Sequence, residues 1–150
     1  WNDLFRLQDL FPEHLFCIKI KKNWDDLLNI RDDRIHDILT NINGSNSWLN
    51  AKDYSLSTYD WMGLSDIVIS APVSSIIFES YFGGIETISY DPLNQYNQEH
   101  RPAEKIDNLS AHSYDELIKL LNMKIKLITK INKRVISQSN NENFSRKLFN

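Results

Sequence analysis

The chain has 150 residues, 41% hydrophobic and 25% charged, proportions that suit one globular domain with a buried core and exclude a disordered polymer. A formal charge of −3 and a pI near 5.8 give no general attraction to phosphate backbones, so nucleic acid is not expected as a partner and any anion site must be built locally. The single Cys17 forms no internal disulfide, no window is apolar and long enough to span a bilayer, and the first residues lack a secretory-signal pattern, so a cytoplasmic protein is expected.

Helical spacing begins at once: Trp1, Leu4, Phe5, Leu7, Leu10 and Phe11 recur at three and four. No initiator methionine precedes them, so the chain is expected to be a piece of something longer. Pro12 stops this helix, and "HLFCIKI" from His14 to Ile20 reads as a strand with Cys17 as a small buried thiol. "KKNWDDLLNIRDDRIHDILTNI" reads as a polar loop and a helix, with Trp24, Leu27, Leu28, Ile35, Ile38, Leu39 and Ile42 on apolar faces, closed by the turn-forming "NGSNS". "WLNAKDYS" holds a short extended piece. "SLSTYDWMGLS" is a helix capped by Ser55 or Ser57, and "DIVIS", apolar on consecutive residues, is a strand of the buried kind.

"SSIIFESYFGG" follows as a helix opened by serine and terminated by Gly83-Gly84. "IETISY" is the next strand, bounded by "DPLNQYNQ", and "KIDNLSA" carries a last short one. From Ser113, with Glu116 in capping-box register, "SYDELIKLLNMKIKLITKINKRVI" reads as one long helix or two consecutive ones. The organisation expected is a single domain over residues 1–137 and a polar, asparagine-rich tail over residues 138–150. Strands alternating with helices predict βαβ units and an α/β fold, a Rossmann-like parallel sheet flanked by helices, which binds ligands at the carboxyl ends of its strands.

"SDIVISAPVSSIIFES", Ser65 to Ser80, falls at that edge: Ile67 to Ser70 is the strand, Ala71 to Val73 the turn, and Ser74 opens the helix. The first turn of a helix has N–H groups without partners and a partial positive charge, which together favour an anion. Ser74 and Ser75 add two hydroxyls that can rotate onto phosphate oxygens, while Pro72 stiffens the approach and the small Ala71 leaves room. Glu79, a little over one turn later, can accept hydrogen bonds from the hydroxyls of a ribose. The plainer alternative makes Ser74 a cap, Ser75 a solvated first-turn residue and Glu79 a solvent-facing carboxylate.

The segment "LSDIVISAPVSSIIFESYFGGIETISYDP", Leu64 to Pro92, resembles the nucleotide-binding half of GT-B glycosyltransferases with a paired-serine motif: bacterial sialyltransferases, capsule Kdo transferases and CDP-glycerol glycerophosphotransferases. The likeness is clear from about Tyr59 to Pro92 and weakens on both sides. It implies one half of a GT-B architecture, the C-terminal donor-binding domain, with a further N-terminal GT-B domain as its partner. The reaction implied is transfer of a sugar or polyol phosphate in the synthesis of a surface polysaccharide. Its donor is nucleotide-activated, CMP- or CDP-linked in preference to UDP-linked, and its acceptor is a glycan or lipid-linked glycan. No cofactor or metal is implied, and the segment alone would bind donor weakly without turning it over. By that resemblance Ser74 and Ser75 contact the donor phosphate and Glu79 the ribose.

One departure concerns an earlier strand, where such families often carry a His-Pro dipeptide and this chain aligns Lys21-Lys22. Lys19 and Lys21 can neutralise phosphate as point charges, although lysine is a less natural proton donor near neutral pH; the alternative is a solvated strand end. Tyr90, Asp91 and Asn94 follow the next strand and either line a base or sugar pocket or form a plain turn. His100 and Arg101 read as surface-loop residues, and His14, His36 and His112 have no metal-ligand spacing. No dinucleotide fingerprint, P-loop or nucleophile elbow is present. Trp24, Trp48, Trp61, Tyr81 and Phe82 read as packing residues rather than sugar platforms. "KLLNMKIKLITKINKR", Lys119 to Arg134, joins apolar faces to basic ones, as suits a helix packed on another domain or peripheral contact with anionic lipid at the inner face of the membrane. The rival readings of the whole are a sugar-nucleotide epimerase of the same architecture and a non-catalytic α/β interaction module.

Overall fold

A computed structural model of the chain describes residues 2–19, 37, 40, 48–50, 56–72, 74–94 and 102–148. The chain divides into two compact units, Trp1–Leu64 and Ser65–Asn150. The helix expected around Trp24 to Ile42 lies outside the described residues apart from the helical backbone at Asp37 and Thr40, and Lys21 and Lys22 lie outside them as well.

In the first unit α1 spans Asn2–Leu10, with Asp3 in its first turn and Leu7 fully buried. The Phe11 N–H donates to the Leu7 carbonyl at 2.8 Å, and Pro12 then turns the chain, as its missing N–H requires. Strand β1, Phe16–Ile18, pairs in parallel with β2, Trp48–Asn50, in the register Phe16↔Trp48. Among the described residues of the expected strand, residues 14–19, three are paired, and Ile20 lies outside them. Cys17 is exposed, which corrects the expectation of a buried thiol. The cause is the two-residue period of a strand: Ile18 is buried, so its neighbour projects from the other face. Helix α2, Thr58–Leu64, is capped by Ser57 rather than Ser55. The Ser57 Oγ accepts the Asp60 N–H at 3.2 Å, and the Asp60 carboxylate receives the Ser57 N–H at 2.8 Å and its hydroxyl at 2.7 Å. Those hydrogen bonds, the hydroxyl's first, hold the Asp60 carboxyl below its ordinary range.

The second unit is built as β3 (Ile67–Ser70), α3 (Ser75–Phe82), β4 (Glu86–Tyr90), a 3₁₀ turn (Pro102–Lys105), β5 (Ser110–Ala111) and α4 (Tyr114–Leu148). Its sheet has the order β3-β4-β5, all parallel, with Ser70↔Ser89 and Tyr90↔Ala111 in register. The unit is thus an α/β fold around a small parallel sheet with helices packed on it. Among the described residues the strands form two sheets, one in each unit, rather than the single sheet that alternation predicts. Hydrophobic pattern marks a strand but leaves its pairing neighbour to long-range contacts.

Alternation along β4 shows how the layers are arranged. The Thr87 hydroxyl lies 2.8 Å from the Ser80 Oγ of α3, whereas the neighbouring Glu86 accepts a 2.7 Å bond from Lys124 of α4. Successive strand residues face opposite sides, so α3 and α4 cover opposite faces of the sheet. Ile77, on the α3 side, packs with Ala103, Leu109, Phe78 and Ile106. Ile88, on the other face, is fully buried, as is Leu117 of α4. Burying an isoleucine this completely contributes about 1.5–3 kcal/mol.

Local signals fix the ends of these helices. In α3 the Ile85 N–H reaches the Ser80 carbonyl at 3.0 Å and the Gly84 N–H the Tyr81 carbonyl at 3.1 Å, a Schellman closure with Gly84 at φ +80°. In α4 the Ser113 Oγ accepts the Glu116 N–H at 3.2 Å, while the Glu116 carboxylate accepts the His112 N–H at 2.7 Å. The long segment is one helix and its backbone runs on to Leu148, because no glycine or proline interrupts residues 114–148.

Candidate functional site

The register Ser70↔Ser89 and Tyr90↔Ala111 brings the carboxyl ends of all three strands of the second unit to one edge. Ala71, Pro72, Ser74 and Ser75 leave β3 there, Asp91 leaves β4, and His112 with Ser113 leaves β5. Val73, within the turn, lies outside the described residues. Pro72 is buried and Ala71 exposed, so the turn presents its small residue to solvent.

Ser74 is the N-cap residue of α3 by backbone geometry, with φ −87° and ψ 131° and the Ile77 N–H bonded to its carbonyl at 3.2 Å. Its hydroxyl makes no capping hydrogen bond. That separates it from the caps Ser57 and Ser113, whose oxygens each accept a backbone N–H. Ser74 is half-buried and Ser75 exposed, so neither is sealed into the core. The first turn of α3 holds no acidic side chain that would offset the positive end of the helix. An anion here would meet the N–H groups of Ser75 and Ile76, which open the helix ahead of the bonded Ile77 N–H, and two rotatable hydroxyls.

Glu79 is half-buried and stands four residues after Ser75, on the same row of the helix. The separation along the axis is about 6 Å. The carboxylate therefore lies deeper along α3 than the hydroxyl pair but on Ser75's side of the helix.

The remaining expected residues are distributed as follows. Tyr90 ends β4 on the face shared with Glu86 and Ile88, the α4 side, and is 9% exposed. Asp91 is 4% exposed, and its N–H donates to the Ala111 carbonyl at 3.0 Å, which ties the β4 and β5 edges together. Asn94 is exposed in the left-handed region at φ 51°, and its N–H closes a turn onto the Asp91 carbonyl at 3.2 Å. Lys19 is exposed just after β1 and belongs to the first unit, whereas Ser74, Ser75, Glu79, Tyr90, Asp91 and Asn94 all belong to the second. Tyr81 and Phe82 are 40% and 79% exposed, which overturns their reading as packing residues. They stand in the last turn of α3, where the eight-residue helix reaches the opposite, amino edge of the sheet.

His112 and Ser113 are added to the carboxyl edge by the structure. The short strand expected in "KIDNLSA" and the helix start at Ser113 imply this position, although β5, two residues long, is too short to show periodicity. Among the described residues no group of histidine, cysteine and acidic side chains could hold a metal ion, and no helix is long and apolar enough to cross a membrane. No protein-family model, curated protein or solved structure matches the chain.

Proposed function

We propose that this chain carries the donor-binding half of a GT-B-like transferase, with the start of α3 as the seat for the phosphate of a nucleotide-activated sugar or polyol phosphate. The observation that carries the reading is Ser74: it occupies the N-cap backbone position, yet its hydroxyl makes no cap bond and stands beside the exposed Ser75 at the carboxyl edge of a parallel strand. Glu79, one turn along the same row, is the ribose acceptor in this reading. Such a seat works electrostatically. Negative charge grows on the departing nucleotide phosphate as the donor bond breaks, and oriented N–H groups with two hydroxyls stabilise that charge without reorganising. The donor class is CMP- or CDP-linked before UDP-linked, the product belongs to a surface polysaccharide, and a second GT-B domain would supply the acceptor side.

Titration with CMP, CDP and UDP, followed by NMR, tests it. Chemical-shift changes should concentrate on residues 74–79. The Ser74→Ala, Ser75→Ala double variant, with its fold retained, should bind at least about tenfold more weakly, since two hydrogen bonds to a charged group are lost. Silence toward all three nucleotides at millimolar concentration would reject the donor site and favour an interaction module.

A further inference from the structure

We infer that the amino-edge end of the second unit docks on an anionic lipid surface through α4. This reading is independent of the nucleotide site, which lies at the other edge of the same sheet. Lys124 marks where α4 draws level with the amino edge, because its ammonium bonds the carboxylate of Glu86, the first residue of β4, at 2.7 Å. Up to that point α4 is a core helix: Leu117, Leu120, Leu121 and Lys124 are buried. The helix then continues to Leu148, a total length of about 50 Å beside a strand of about 17 Å, so its later turns pass beyond the sheet.

The passing face is amphipathic in a specific way. Met123, Leu127 and Ile131 lie four residues apart in one row and are 42%, 45% and 50% exposed. The adjoining row carries Lys126 and Lys130, both exposed. From Leu117 to Asn141 the sequence has six basic residues and no acidic one. Tyr81 and Phe82, edge to face with ring centroids 5.5 Å apart, add an exposed aromatic pair at the same end of the unit. Aromatic side chains of this kind settle at the headgroup level of a bilayer.

Charge selects the occupant. A second copy laid against this face would set lysine rows near lysine rows with no acidic side chain on either helix stretch to offset them. Anionic headgroups offset them directly, while the lysine stems cover apolar surface and keep their ammonium groups in the polar layer. Exposed acidic residues at this edge, Asp66 before β3 and Asp107 before β5, lie outside α4, so the basic character is that of the helix itself.

Flotation of the whole chain with vesicles gives the test. Phosphatidylcholine vesicles containing phosphatidylglycerol should carry the protein upward, pure phosphatidylcholine should not, and added salt should weaken the effect. At about 1 kcal/mol per basic residue, Lys126→Glu with Lys130→Glu should lower the partition coefficient roughly thirtyfold. Leu127→Ser with Ile131→Ser should lower it about tenfold or more. Circular dichroism checks that both exposed pairs leave the fold intact. The inference is overturned by absence of flotation with anionic vesicles, by equal flotation with neutral ones, or by indifference to both variant pairs. A concentration-dependent dimer that Leu127→Ser with Ile131→Ser dissolves would instead assign the face to a second copy.

Discussion

Cys17 shows how one position can be read correctly in chemistry and wrongly in place. Its thiol is free, but it projects from the exposed face of β1. Partial desolvation nonetheless pushes the thiol above its ordinary pKa, and the Lys19 ammonium two residues on opposes that shift without cancelling it. The thiolate is the nucleophile, so a raised pKa means a smaller reactive fraction at neutral pH. Alkylation by iodoacetamide should therefore rise with pH to a midpoint above that of an unstructured cysteine peptide, and Lys19→Ala should move the midpoint higher still. A midpoint at or below the peptide's would contradict the assignment. The apolar run "LFCIKI" could not reveal the exposure, since neighbours along a strand take opposite faces and the run alone does not say which face is covered.

At the scale of elements, the starts of α2 and α4 and the end of α3 were legible, whereas the run of α4 to Leu148 and the extents of strands were not. Caps and terminators work through residues three to six apart, so Ser57 with Asp60, Ser113 with Glu116, and Gly83-Gly84 stand where their local chemistry places them. Strand length depends on what lies alongside. Of the described part of "HLFCIKI", residues 14–19, Phe16–Ile18 pair with Trp48–Asn50, and β5 keeps two residues beside the end of β4. The hydroxyl pair was legible as a motif, while the absence of a cap bond at Ser74 required coordinates. Gly84 gives this scale its prediction. At φ +80° a side chain is strained even though a Cβ there would meet nothing within 4 Å, whereas a Cβ on Gly83 would press on the Glu79 carbonyl at 2.9 Å. Gly84→Ala should therefore destabilise by about 1 kcal/mol through backbone conformation alone, seen as a lower urea midpoint at unchanged slope. An unchanged midpoint would mean that the Schellman closure does not hold α3 against β4.

For the whole chain, alternation predicted the α/β class and the parallel sense, but not the division of strands between two units, which rests on contacts far apart in sequence. The consequence inside the second unit is a gradient of stability. Thr87, Ile88, Ser89 and Tyr90 are buried in the central strand, with helices on both faces, so their amides should exchange only through the largest opening. Along α4 the surroundings change from core at Leu117–Leu121 to water at Leu127–Ile131, and amide protection should fall along that one helix accordingly. Uniform protection from Leu117 to Ile131 would show that something already covers the later turns. The two edges then report separately. Anionic vesicles should slow exchange around residues 127–131 and leave residues 74–79 unchanged, while CMP or CDP should do the reverse, because the proposed phosphate seat and the basic helix face lie at opposite edges of a single three-stranded sheet.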